Sequence, residues 1–268
     1  GIDLAVREVV SNLKKMSQPV QSVADIQHVA SISANNDTTI GKLIATAVDK
    51  VGQDGSITIE ESRSLDTSLD ITEGFKIDAG WCAGAFINDE RRGVMHYEEP
   101  LFLVTDHKIS NVESILPVLE MIARENRPLV IVAEDIEGQA LAAMIMNAMR
   151  GTLKVAGIKA PMYGEERRHI LSDLAASVGA TFITRESGAK LTEIQMTDLG
   201  TANFIESNKY TTTIVGGHAD YETVEERIES LKQLIKDTES IEQCKSIQER
   251  IVRLSSGVAV IRVGGATE

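Results

Sequence analysis

Between Leu101 and Glu186, apolar runs of strand length alternate with segments of helix length, and this alternation constrains the fold more than any other feature. LFLVTD, LVIVAED, LKVAGIKAP and ATFITRE are short, apolar and strand-like. The segments between them, Pro117–Arg124, Gln139–Arg150 and Glu165–Val178, carry helical periodicity. Strands separated by helices return through crossovers, so the pattern predicts βαβ units around a largely parallel sheet, an α/β fold.

The flanks read differently. Ile2, Val6, Val9, Leu13 and Met16 lie on one face of a helix over Gly1–Met16, which calls for a partner surface. A second helix is expected over Thr38–Val51, followed by QDGSITIEE, a Gly-punctuated turn leading into a strand. After TTTIVGG come two charged amphipathic helices, Tyr221–Asp237 and Ser240–Leu254, and a buried strand, Val258–Val263. A helix with no lead-in and a last strand with no sequel are expected of a piece of something longer.

Composition narrows the function. With 268 residues, 43% apolar and 25% charged, the chain has ample material for a core. A formal charge of -13 argues against nucleic acid or an anionic membrane surface, since both need clustered Lys and Arg. The longest uninterrupted apolar run, Ala140–Met146, is too short to span a bilayer, and no signal-peptide pattern opens the chain. Cys82 and Cys244 lack metal-ligand spacing and fit single thiols in a reducing cytoplasm. The sequon Asn36-Asp37-Thr38 is expected to be idle there.

Motifs for chemistry are sparse. Ile40-Gly41-Lys42-Leu43 lacks the earlier glycine and the hydroxyl residue of a phosphate loop. No dinucleotide fingerprint follows a strand, and His28, His96, His107, His169 and His218 are scattered, as surface or capping residues would be. Glu134-Asp135-Ile136-Glu137 sits at the carboxyl end of a strand, where α/β proteins place ligand sites. Acids ahead of a helix also complement its dipole and cap its amides, and that reading is preferred.

QALAAMIMNAMR, Gln139–Arg150, is the most distinctive helix. Its polar and small side chains fall within about 80° of one another, leaving an apolar arc of roughly 240°. A surface helix needs about 100°. Leu116-Pro117-Val118-Leu119, with Pro117 expected in a first helical turn, shows the same excess. Either the long helices near the carboxyl end cover both segments, or the two helices form a Met-rich apolar groove suited to varied partners.

SISANNDTTIGKLIATAVDKVGQDGSITIEE, AEDIEGQALAAMIMNAMRGTLKVAGIKAP, NKYTTTIVGG and SSGVAVIRVGGATE resemble the group I (bacterial-type, GroEL-type) chaperonins. The likeness runs in order and ungapped from Gly1 to Glu268. It implies the end of an equatorial-domain helix at 1–18 and an α+β intermediate domain at 19–72 and 257–268. The apical domain would be 73–256, with hinges at Pro19, Gly74 and Gly257. The rest of the equatorial domain would lie outside this sequence. ATP and Mg²⁺ would bind there, so none is expected on this chain, although Ser33 and Asp37 would lie near that pocket. The implied function is capture of non-native polypeptides, and of a co-chaperonin lid, by Leu116, Leu119, Leu141, Ile145 and Met146. Full-length subunits would form seven-membered cytoplasmic rings, with this piece a monomer. The runner-up is a free-standing α/β domain with a small ligand at Glu134–Glu137.

Two departures from the family pattern stand out. Trp81-Cys82-Ala83-Gly84-Ala85-Phe86 keeps two aromatics, Trp81 and Phe86, of a binding segment that usually has a third where Ala85 stands. Ala79 replaces an arginine that would pair with a neighbouring subunit's counterpart of Glu268, which implies weaker coupling between subunits.

Overall fold

The computed structural model of the chain describes residues 1–52, 55–62 and 66–264. It begins with three helices: α1 (Ile2–Met16), α2 (Val23–Ser33) and α3 (Thr38–Val51). The Oγ of Ser22 accepts from Asp25 N and the Asp25 carboxylate accepts from Ser22 N, which closes a capping box on α2. Asp37 caps α3, its Oδ1 accepting from Thr39 N at 2.8 Å and Ile40 N at 3.1 Å. These two helices pack closely because Gly41 has no side chain; a Cβ there would collide with Ser31. The apolar face of α1 has no such partner. None of its side chains is buried among the described residues.

Then come β1 (Ser56–Glu61), β2 (Ser68–Ile77), a 3₁₀ turn at Gly84–Phe86, β3 (Met95–Glu98), β4 (Leu101–Thr105) and β5 (Lys108–Ile109). The alternating region follows: α4 (Val112–Glu125), β6 (Leu129–Ala133), β7 (Asp135–Ile136), α5 (Gly138–Arg150), β8 (Val155–Lys159), α6 (Gly164–Val178) and β9 (Phe182–Ile183). A hairpin of β10 (Gly200–Ser207) and β11 (Thr212–Gly217) precedes α7 (Tyr221–Asp237), α8 (Ile241–Ser255) and β12 (Gly257–Val263). The hairpin turns on Asn208, whose Oδ1 accepts from Tyr210 N and Thr211 N. Part of the turn expected ahead of Ser56, Gln53-Asp54, lies outside the described residues.

The protein is mixed α/β with a curled sheet. Strand order is β1-β12-β2-β11-β10-β4-β6-β8, with β3 also on β10 and β9 also on β4. The expectation of a largely parallel sheet holds for β4, β6, β8 and β9 and for the β1–β12 pair. It fails elsewhere: β12–β2, β2–β11, β11–β10, β10–β3 and β10–β4 are antiparallel. The physical reason is connection length, since no helix separates β10 from β11. Strand β2 changes partner midway. Ser68–Glu73 pairs with β12 and Gly74–Ile77 with β11, so one strand serves two neighbours in succession.

Every residue of β4 and β6 is buried, as expected for strands covered on both faces. Packing on one side relies on a buried ion cluster. Asp173 of α6, with a fully buried side chain, accepts from Arg227 of α7 at 2.6 Å and from Arg250 of α8 at 2.8 and 2.9 Å. Both helices are thereby tied to α6 and do not cover α4 or α5.

Two local expectations need correction. Pro117 is not in a first turn but is the sixth residue of α4, where its missing N–H leaves the Glu113 carbonyl without its intrahelical donor. Gly74 and Gly257, the hinges that the resemblance implies, both sit in strands and neither has a positive φ. Gly74 is there for close approach: a Cβ would collide with Val258 of β12. Finally, the acids before α5 do not cap it, for Glu137 makes no side-chain cap bond.

Candidate functional site

On α5 only Ala140 and Met144 are buried, one above the other at i and i+4. Leu141 and Ile145 on the next ridge are half-buried, while Met146 and Met149 are 50% and 73% exposed. Ala140 and Met144 form the buried stripe, Leu141, Ile145 and Ala148 pack partly buried against the same core, and Met146 and Met149 face solvent. Gly151, left-handed at φ 68°, ends the helix just beyond these residues. Packed beside it, α4 buries Ile115, Val118, Leu119 and Ile122 and leaves Leu116 45% exposed.

The sequence-expected residues are thus divided. Leu116, Leu141, Ile145 and Met146 offer apolar surface on neighbouring helices. Leu119 does not; at 4% exposure it belongs to the core. Phe86 is likewise core, at 1%. It anchors the 3₁₀ turn that packs against α5, while Trp81 and Ala85 stay half-exposed nearby. The Trp81–Cys82 backbone is held by bonds from Trp81 N to Asn208 O and from Cys82 N to Gly157 O. Met149, part of the wide apolar arc of this helix but not among the expected binding residues, extends the Leu141–Ile145 ridge by another four residues.

Elsewhere the polar candidates are occupied. Glu134 pairs with Arg185 at 2.5 Å and with Arg167 at 3.5 Å, Asp135 with Lys159 at 3.0 Å, and Glu137 with Lys108 at 3.0 Å. Burial opposes the charge of Asp135, but Lys159 holds its carboxyl below the usual range. Glu137 in turn raises the Lys108 amine. Acids satisfied by their own chain are poor sites for a polar ligand. Ser33 and Asp37 also serve locally, Ser33 Oγ donating to Val29 O and Asp37 capping α3. Ile40–Leu43 is helical. Cys82 and Cys244 are free thiols, and burial pushes Cys82 up to about 11, which keeps it protonated and unreactive at neutral pH.

His96 departs from the surface or capping role expected of it. It is half-buried on β3, with Nε2 2.8 Å from Glu98 and Nδ1 3.6 Å from Glu206. Glu60 of β1, His96 and Glu98 form a group whose ligand atoms lie within 4.8 Å of one another. Arg262 stands 3.4 Å from Glu60, and Arg92 stands 2.6 Å from Glu206. With Glu60 and Glu206 paired to guanidinium groups and Glu98 paired to His96, the cluster is an ion-pair network rather than a metal centre.

Glu268, the expected counterpart to position 79, lies outside the described residues. No helix among the described residues is long and apolar enough to cross a membrane. No known protein family has a model that matches this chain.

Proposed function

We propose that the chain is the polypeptide-binding portion of a group I chaperonin, and that the exposed faces of α4 and α5 capture non-native polypeptides. The single observation carrying this reading is the exposure of Leu116, Met146 and Met149 on neighbouring helices, beside the half-buried Leu141 and Ile145. Unfolded chains display contiguous apolar segments that native proteins hide, and an apolar face retains them without demanding a sequence. Flexible, polarisable methionine side chains adapt to varied contacts. The resemblance carried by the segments quoted above supports the same reading, with residues 73–256 as the apical domain and 19–72 with 257–268 as the intermediate one. ATP and Mg²⁺ act in another part of the longer subunit, in seven-membered cytoplasmic rings, and a co-chaperonin lid docks on the same face to displace the client. The rival small-ligand reading loses its basis because Glu134, Asp135 and Glu137 are already paired.

The test separates surface from core. Met146→Ser and Met149→Ser should lose capture of a reduced, alkylated unfolded protein while changing stability by about 0.5 kcal/mol or less, as surface changes do. Leu103→Ala, in the middle of β4, should cost roughly 2–5 kcal/mol yet retain capture at temperatures where it stays folded. Undiminished capture by both serine variants would overturn the proposal.

A further inference from the structure

Asn88 fixes the backbone of His96 from both sides, its Nδ2 donating to His96 O at 2.7 Å and its Oδ1 accepting from His96 N at 2.8 Å. The imidazole, with its ring 5.4 Å from that of Phe204, is thereby set at a hollow whose walls come from two parts of the sheet. Glu60 and Arg262 stand on β1 and β12, on one side of the partner change in β2. His96 and Glu98 on β3, Glu206 on β10 and Arg92 in the preceding turn stand on the other. No backbone pairing joins β1 to β3.

We propose that His96 is a proton-operated latch: charged, it draws Glu60 of β1 toward Glu98 and Glu206, and neutral, it releases β1 and β12 from the β3–β10 edge. The charge balance requires such a cation. Glu60, Glu61, Asp89 and Glu98 line the hollow, with Glu206 beside His96 and Arg92, and among the hollow's described residues only Arg92 and Arg262 answer these acids. Arg92 is engaged by Glu206 and Asp89, and Arg262 is shared between Glu60 and Asp70. Without a charge on His96, the carboxylates of the two sides repel across the gap.

The pH window follows from the same contacts. Glu206 and Glu98 hold the imidazole protonated above its ordinary 6.5, against the cost of burial. Burial lifts the Glu60 carboxyl, with Arg262 opposing. Stabilisation from a raised histidine is complete below 6.5 and is lost as pH climbs through the raised value. The latch is therefore closed on the mildly acidic side of neutrality and opens toward alkaline pH. More strongly acidic conditions, which protonate Glu60, open it again. This inference is independent of the polypeptide-binding reading.

The test places spin labels at the exposed positions 59 and 91, as Ile59→Cys and Arg91→Cys, in a Cys82→Ala, Cys244→Ser background. Electron–electron distance measurement should give one narrow distribution at pH 6 and a longer, broader one at pH 8.5. His96→Gln should be broad at both values, and His96→Arg, with a permanent charge, narrow at both. In the unlabelled protein, nuclear magnetic resonance titration of His96 should show a midpoint above 6.5 that falls in Glu60→Gln. A distribution indifferent to pH, a pH response that survives in His96→Gln, or a midpoint unmoved by Glu60→Gln would overturn the proposal.

Discussion

Asp173 shows how differently two ion pairs of this protein weigh. Its carboxylate has no exposure and accepts three hydrogen bonds from Arg227 and Arg250, whereas Lys190 and Glu193 pair in solvent 3.6 Å apart. Removing one partner of a buried pair strands the other's charge, at a cost of about 3–5 kcal/mol. An exposed pair is screened and competes with water. Asp173→Asn should therefore lower stability by about that amount in denaturant melts, while Glu193→Gln leaves the midpoint in place. Equal midpoints would refute the assignment of Asp173 as the tie between α6, α7 and α8. Neither Asp173 nor His96 was legible beforehand. Their partners lie 54 and 77 residues away for Asp173 and 110 for His96's Glu206, and no local periodicity reports such pairings.

At the level of elements, periodicity served well where one helix met one core. Tyr221–Asp237 and Thr38–Val51 begin and end where their apolar stripes and caps place them. It misled where neighbours decide. Strand β10, GTANFIES, mixes polar residues with buried Ala202, Phe204 and Ile205 because β11 lies on one side and β3 and β4 on the other. Pro117 looked like a helix start because local chemistry favours it there, yet the buried Ile115 belongs to the same helix and extends it backward. Helix α1 illustrates the opposite case, an amphipathic pattern with nothing to pack on. At 15 residues and with none of them buried among the described residues, such a helix is marginal in water. Its amides should exchange with solvent at close to unprotected rates, while those of β4 and β6 exchange only on global opening. Slow exchange throughout α1 would mean that it has found a partner surface in solution.

Across the whole molecule, the apolar face of α4 and α5 was the most legible part of the candidate site, since too much grease for one stripe is a local property of sequence. Leu119 and Phe86 were placed on that face by resemblance and turned out to be core. Distinguishing the two outcomes needs the packing of α4 on the sheet and of the 3₁₀ turn on α5, which no single segment encodes. The joint at β2 can be probed directly. Gly74→Ala drives a methyl group into Val258 and should cost about 1–3 kcal/mol, as overpacking does. The single tryptophan, Trp81, offers a fluorescence signal for that melt. An unchanged midpoint would show that β2 and β12 can separate there without penalty.

The segment 74–256 leaves β2 and returns to β12 at adjacent points, with Gly74 N donating to Ser256 O at 3.4 Å. Were these two adjacent crossings to act as a single pin, sliding would be resisted and rotation left as the soft direction. Strand order sets the lever. From β2 through β11, β10, β4 and β6 to β8 are five inter-strand steps, an arm of about 24 Å along the sheet at roughly 4.8 Å each. Because α5 packs on β8, near the end of that arm, a twist of about 10° at the pin would carry Leu141 and Ile145 roughly 4 Å, while Ile77 beside it scarcely moves.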